Sequence, residues 1–84
     1  MKFYVYLLIT NIKKKKISYV GYTNNLNKRL LSHNKSKGAK FTRGKQWKMI
    51  YSKAYDSKIE AMREEHKLKK NYLLRKKIKE SYKI

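Results

Sequence analysis

Residues 3–9 read "FYVYLLI", seven apolar residues in succession within a chain of 84. The run is too short to span a membrane, which takes about 20 residues. No small-residue cleavage site follows it, as a secretory signal would require. A strand with one wet face would alternate apolar with polar residues, and here both alternating sets are aromatic or branched. The run therefore predicts a strand covered on both sides, and the rest of the chain must supply the two covers.

The means of doing so are limited. Eighty-four residues make one domain with one small core, expected over residues 1–84. Cysteine is absent, which removes both disulfides and thiolate metal sites as staples. His33 and His66 could not build a structural zinc site without carboxylate help. A reducing, cytoplasmic setting fits this composition.

Two further strands and the helices can be read from period and punctuation. "TNIKKKK" (10–16) reads as a long basic loop, and "ISYVGYT" (17–23) as a second strand, antiparallel to the first. In "TNNLNKRLLSHNK" the period changes. Thr23, Asn24 or Asn25 can cap a helix over 25–35, with Leu26 and Leu30 at helical spacing. "WKMIYSKAY" (47–55) alternates as a third strand, Asp56 or Ser57 caps a helix to about residue 70, and a basic helical segment closes the chain. The order β-β-α-β-α-α predicts an α+β domain, a small three-stranded antiparallel sheet flanked by helices.

Charge sets the class of partner. Lysine and arginine number 24 against five acids, a formal charge of +19, so the surface attracts polyanions, nucleic acid first. A codon bias towards A+T would account for part of the lysine excess. An anionic membrane surface fits less well, because no segment shows an amphipathic face with aromatic anchors. The loop "KSKGAKFTRGKQ" (35–46) concentrates the charge in Lys35, Lys37, Lys40, Arg43 and Lys45. It is expected, with the C-terminal basic segment, to carry the phosphate contacts.

Some residues are not explained by charge alone. The chain has 20 lysines but only four arginines. Arg29 stands roughly 40° of helical phase from His33, on the side of Leu26 and Leu30. There the planar fork of arginine, which binds phosphate bidentately, is a specific choice; the simpler reading has both residues snorkelling to solvent from the edge of the apolar stripe. Tyr6 and Tyr19 sit mid-strand on neighbouring strands, able to point towards a helix. Gly21, two residues after Tyr19, is costly inside a strand and signals close approach by a backbone or ligand. Of the acids, Glu60 and Glu64 fall on the outer face of their helix. Glu65 falls between Ala61 and Met62 in phase, towards the sheet, as an ion-pair partner or a metal ligand.

These residues together resemble the GIY-YIG nuclease superfamily, most closely its small standalone bacterial members, similar to the excision-repair incision nuclease and to homing endonucleases. The two signature tripeptides fall on Tyr4-Val5-Tyr6 and Tyr19-Val20-Gly21, the Arg-x-x-x-His on Arg29 and His33, and the metal-binding glutamate on Glu65, four residues after Ala61. The resemblance spans residues 3–80. It departs at Tyr4, which replaces a glycine, at two valines for isoleucines, and at Lys77, near the place of a late asparagine. The resemblance implies a metal-dependent endonuclease that hydrolyses phosphodiester bonds in DNA, in repair or recombination, with Mg²⁺ or Mn²⁺ held by Glu65. It implies that Arg29 grips the phosphate, Tyr19 orients or deprotonates water, Tyr6 and His33 position, and Gly21 with the basic loop meets nucleic acid. The alternatives are a catalytically silent nucleic-acid-binding module and a small basic RNA-bound structural protein.

Overall fold

The computed structural model describes residues 1–82. The last two residues of the expected domain and of its closing segment lie outside them. The elements are β1 (Phe3–Ile12), β2 (Lys15–Thr23), α1 (Leu26–Asn34), a 3₁₀ turn (Lys40–Thr42), β3 (Lys48–Tyr55), α2 (Lys58–Lys70) and α3 (Tyr72–Ser81). The sheet is antiparallel with spatial order β2-β1-β3. The expected α+β order and three-stranded sheet are those of the protein.

β1 is the central strand, and it is covered on both sides. Val5 and Leu7 point to one face, where they pack with Val20, Ala61 and Leu68 beneath α2 and α3. Tyr6 and Leu8 point to the other, where they meet Trp47, Leu26 and Leu30 beneath α1 and the 35–46 loop. Burying an aliphatic side chain of this size contributes about 1.5–3 kcal/mol. A strand that contributes to two such clusters is what allows so short a chain to fold without staples. The Tyr4 departure is tolerated, since Tyr4 pairs regularly with Thr23 and Ala54 and the sheet's one irregularity lies at Leu7/Leu8.

Each helix begins on a side-chain cap. Asn25 Oδ1 accepts from Lys28 N at 3.1 Å and Ser57 Oγ from Glu60 N at 3.1 Å. Asp56, the other candidate cap, is engaged instead by Lys2, whose ammonium holds that carboxyl below the usual carboxylate range. Asn71 separates α2 from α3 and caps the latter, accepting from Leu74 N at 3.1 Å.

The long basic loop expected between the first two strands is absent. Ile12 pairs with Lys15, so the hairpin turns on Lys13 and Lys14 alone. Both have positive φ, 51° and 70°, as the two-residue turns that match strand twist demand. Lysine is poorly suited to that region, where a Cβ costs roughly 1–2 kcal/mol. Replacing Lys13-Lys14 by Asn-Gly is therefore expected to stabilise the fold by about 1 kcal/mol or more, raising Tm by about 4–8 °C per kcal/mol. Thermal denaturation followed by circular dichroism measures it, and an unchanged Tm would show that the turn carries no strain.

Candidate active site

Tyr6 leaves β1 towards α1 and crosses over its strand partner Gly21. A Cβ at Gly21 would collide with the phenol, coming within 2.6 Å of Tyr6 Cζ and closer still to its hydroxyl. The close approach signalled by that glycine is thus made by a side chain. Gly21 is buried, and the nucleic-acid contact expected of it does not hold, because the phenol fills its space. Gly38 plays the same part for His33: a Cβ there would lie 2.9 Å from Cε1 of the imidazole and closer to Nδ1. Two of the chain's three glycines therefore make room for one buried pair.

That pair heads a continuous hydrogen-bond chain. Tyr6 Oη lies 2.8 Å from His33 Nε2, and His33 Nδ1 lies 2.8 Å from Thr42 Oγ1. Thr42 donates in turn to the Ala39 carbonyl at 2.8 Å. At the other end Arg29 Nε–H donates to Tyr6 Oη at 3.3 Å. His33 is 0% exposed, so it does not snorkel to solvent. Burial, reinforced by the Arg29 charge, holds its pKa below the ordinary value. Burial also pushes the Tyr6 phenol up, against the opposing pull of Arg29.

The sign of the resulting pH dependence follows. A histidine whose folded pKa is depressed favours the native state while neutral. Its contribution is complete above the unfolded value of about 6.5 and is lost as pH falls through the lower folded value. The raised Tyr6 phenol stabilises below about 10 and ceases to as pH rises through its folded value. The urea midpoint is expected to fall between pH 7 and pH 5. A midpoint that holds steady over that interval would contradict the buried, neutral imidazole.

Arg29 is half-buried. The ion pairs among the described residues are Lys2–Asp56, Lys67–Glu64 and Lys69–Glu65, so no carboxylate claims its guanidinium. With Nε committed to Tyr6, the remaining N–H groups are free to serve the concavity that Arg29 lines. This hollow of about 230 Å³ is shared with Thr23, Asn24, Asn25, Lys28 and Ser32 at the start of α1. Its donors and positive charges suit an anion.

Tyr19 is half-buried beside His33, with ring centroids 5.2 Å apart, and stacks on Phe41 at 6.2 Å and 19°. Its hydroxyl makes no hydrogen bond to another described residue. Glu65 retains a 16% exposed side chain, against 33% for Glu64. The two neighbours face different surroundings. Glu65 is near enough to Tyr6 for its charge to oppose ionisation there, whereas Glu64 and Glu60 exert that effect on Tyr55. Glu60 is exposed as expected. Glu64 is not outward but half-buried, in a hollow with Tyr51, Tyr55 and Leu68. Lys69 lies 3.4 Å from Glu65, an i,i+4 pair on a half-exposed lysine that contributes little.

The 35–46 loop is more structured than its composition suggests. It folds back over α1, burying Thr42 and the Trp47 indole, whose Nε1–H donates to Thr42 O at 3.0 Å. Lys35, Lys37, Lys40 and Arg43 are exposed. Lys45 is half-buried and bends back along its own loop, donating to Phe41 O at 3.0 Å with its ammonium over the Phe41 ring, and so extends less freely than the other four. Phe41 itself is 52% exposed. Thr42 and Trp47 were not legible as site residues, since a threonine among loop lysines reads as turn polarity.

A sheet of this order that presents a tyrosine from each of two paired strands, an arginine–histidine helix and a glutamate from the next long helix has the organisation of a nuclease domain. Residues 2–79 match the GIY-YIG catalytic domain, and the chain belongs to that family of nucleases. It is similar to UPF0213 proteins of several bacteria. The one from Staphylococcus haemolyticus is 41% identical over 70 residues, 81% of this chain and 80% of that protein. The Clostridium perfringens relative is 43% identical over 68 residues, 80% of this chain and 70% of the relative. In Bacillus licheniformis the figure is 48% over 65 residues, 76% and 64% of the two chains. The chain spans only about 60% of the length of some relatives, as with the UPF0213 protein of Oceanobacillus iheyensis. No solved structure matches it significantly. Among the described residues no helix is long and apolar enough to cross a membrane.

Proposed function

We propose that this protein is a Mg²⁺-dependent endonuclease that hydrolyses phosphodiester bonds in DNA, with repair or recombination as its setting in the cytoplasm. One observation carries the reading: Arg29, held through Nε by a buried tyrosine and paired with no carboxylate of the described residues, lines a hollow rich in donors and positive charge. A merely solvated arginine would not be oriented from beneath.

The donor set fits a hard, hydrated cation. No cluster of three or more histidines and acids among the described residues could enclose an ion, and Glu65 offers one largely buried carboxylate. Mg²⁺ suits such a site, since it keeps several waters and is commonly bound through one or two carboxylates plus substrate phosphate. Bound there, it would neutralise charge at the phosphate and make a coordinated water more acidic. Arg29 binds the nonbridging oxygens. Tyr19, whose hydroxyl makes no hydrogen bond to another described residue, orients the attacking water or takes its proton. Tyr6 and His33 do not reach substrate and act by holding Arg29.

Lys35, Lys37, Lys40 and Arg43 extend the phosphate-binding surface. If these four each displace one counterion, log K should fall against log salt with a slope of about −3.6 on duplex and about −2.8 on single strands. Anisotropy titrations across a salt series measure it; affinity flat with salt would remove the loop from the interface.

The test of the function is nicking of supercoiled plasmid with Mg²⁺, with EDTA, and with the Arg29→Lys protein. Cleavage that requires the metal and the arginine supports the reading. Tight DNA binding without cleavage under any metal would favour the silent module.

A further inference from the structure

The polarity of the buried hydrogen-bond chain can be worked out from its far end. A hydroxyl has one hydrogen, and that of Thr42 goes to the Ala39 carbonyl at 2.8 Å. Towards His33 Nδ1 the threonine can then only accept, so Nδ1 carries the imidazole proton. In the neutral ring Nε2 is left as a bare acceptor, and the Tyr6 hydroxyl donates to it. The phenol oxygen therefore presents lone pairs, not hydrogen, to Arg29 Nε–H. Each link follows from the one before, and the anchor is a backbone carbonyl, which cannot reverse its role.

We propose that Thr42 is a positioning residue: by fixing the His33 tautomer it directs Tyr6 to accept from Arg29, and so orients the guanidinium towards the phosphate. The proposal rests on the reading of Arg29 as the phosphate-binding group. Without the threonine acceptor the imidazole is free to place its proton on Nε2. Tyr6 would then accept from His33 and turn its own hydrogen towards Arg29, so that donor meets donor. Thr42 is 0% exposed, and Trp47 Nε1–H holds its carbonyl at 3.0 Å, so its hydroxyl has little freedom to find another arrangement. The same geometry removes Tyr6 as a base for water, because its proton is committed to His33.

The experiment compares the wild-type chain with Thr42→Val, which keeps shape and loses the hydroxyl, and Thr42→Ser, which restores it. Nitrogen NMR of the His33 ring reads the tautomer, and hydrogen exchange of Arg29 Nε–H reads the bond to Tyr6. The expected result is an Nδ1–H ring and a protected Arg29 Nε–H in wild type and Thr42→Ser, both lost in Thr42→Val. Plasmid nicking should follow, with kcat about 10- to 100-fold lower in the valine variant, the range typical of groups that orient another, KM little changed, and recovery in the serine variant. An Nε2–H ring in wild type overturns the proposal, and this holds even if Thr42→Val does not fold. Retention of Nδ1–H and of Arg29 protection in Thr42→Val also overturns it, as does a changed tautomer with unchanged turnover. Should the wild-type chain fail to cleave any substrate, the nuclease reading fails, while the two spectroscopic measurements still decide what Thr42 does to Arg29.

Discussion

Glu65→Gln is expected to abolish metal-dependent nicking, while Glu64→Gln leaves it within about twofold of wild type. The two residues are adjacent carboxylates on α2, and an argument from charge alone treats them alike. Their surroundings separate them. Glu65 opposes the ionisation of Tyr6 and Glu64 that of Tyr55, so the two carboxylates have different neighbours. If Glu65 is the protein ligand of Mg²⁺, exchanging a charged oxygen for an amide removes the charge a hard cation needs. Binding of DNA in EDTA should persist or tighten, since a negative charge facing phosphate is gone. Losing the Glu64–Lys67 pair should cost at most about 1 kcal/mol of stability. The measurement is nicking across a Mg²⁺ titration with the three proteins, their folds checked by circular dichroism. Normal cleavage by Glu65→Gln, or loss of activity in Glu64→Gln instead, would overturn the metal assignment.

Arg29→Lys should lower turnover about 10²–10³-fold, the usual cost of removing a preorganised donor to developing charge, with DNA affinity nearly unchanged. Formal charge is conserved, so a long-range electrostatic account predicts no effect. The difference lies in geometry. Arginine can donate Nε–H to Tyr6 and still present a planar fork to two oxygens, which a single ammonium cannot do. Single-turnover rates beside anisotropy titrations separate the two quantities. Turnover close to wild type would return Arg29 to the role of a solvated surface charge.

Much of this architecture is legible in the sequence. The apolar run in β1, the change of period at Leu26 and the Asn and Ser caps are local signals, and the fold follows them. Arg29 stood out because the chain uses lysine wherever charge suffices. The tight hairpin is hidden for a physical reason: two-residue turns normally announce themselves by Asn or Gly, and here lysines occupy the positive-φ positions. Glu64 shares the side of exposed Glu60 by spacing, yet it lies at the edge of the hollow beside Tyr51 and Tyr55, which the spacing alone does not reveal. Thr42 was invisible, since its partner His33 is nine residues away and meets it only when the loop folds back. Nothing local distinguishes Lys45, which bends back onto its own loop, from the lysines around it.

A strand that is apolar on both faces also poses a problem of misfolding. Hydrophobicity alone scarcely tells β1 which face is which, because a slip of one residue exchanges one apolar set for another. What penalises the slip is polar. It would turn Tyr6 away from His33, strand the buried imidazole Nε2 without its donor and put a bulkier neighbour where Gly21 leaves space. The groups that hold Arg29 thus also discriminate the native pairing from its nearest competitor. Loosening them for altered specificity should yield, besides slower enzymes, chains that populate mispaired and aggregation-prone sheets.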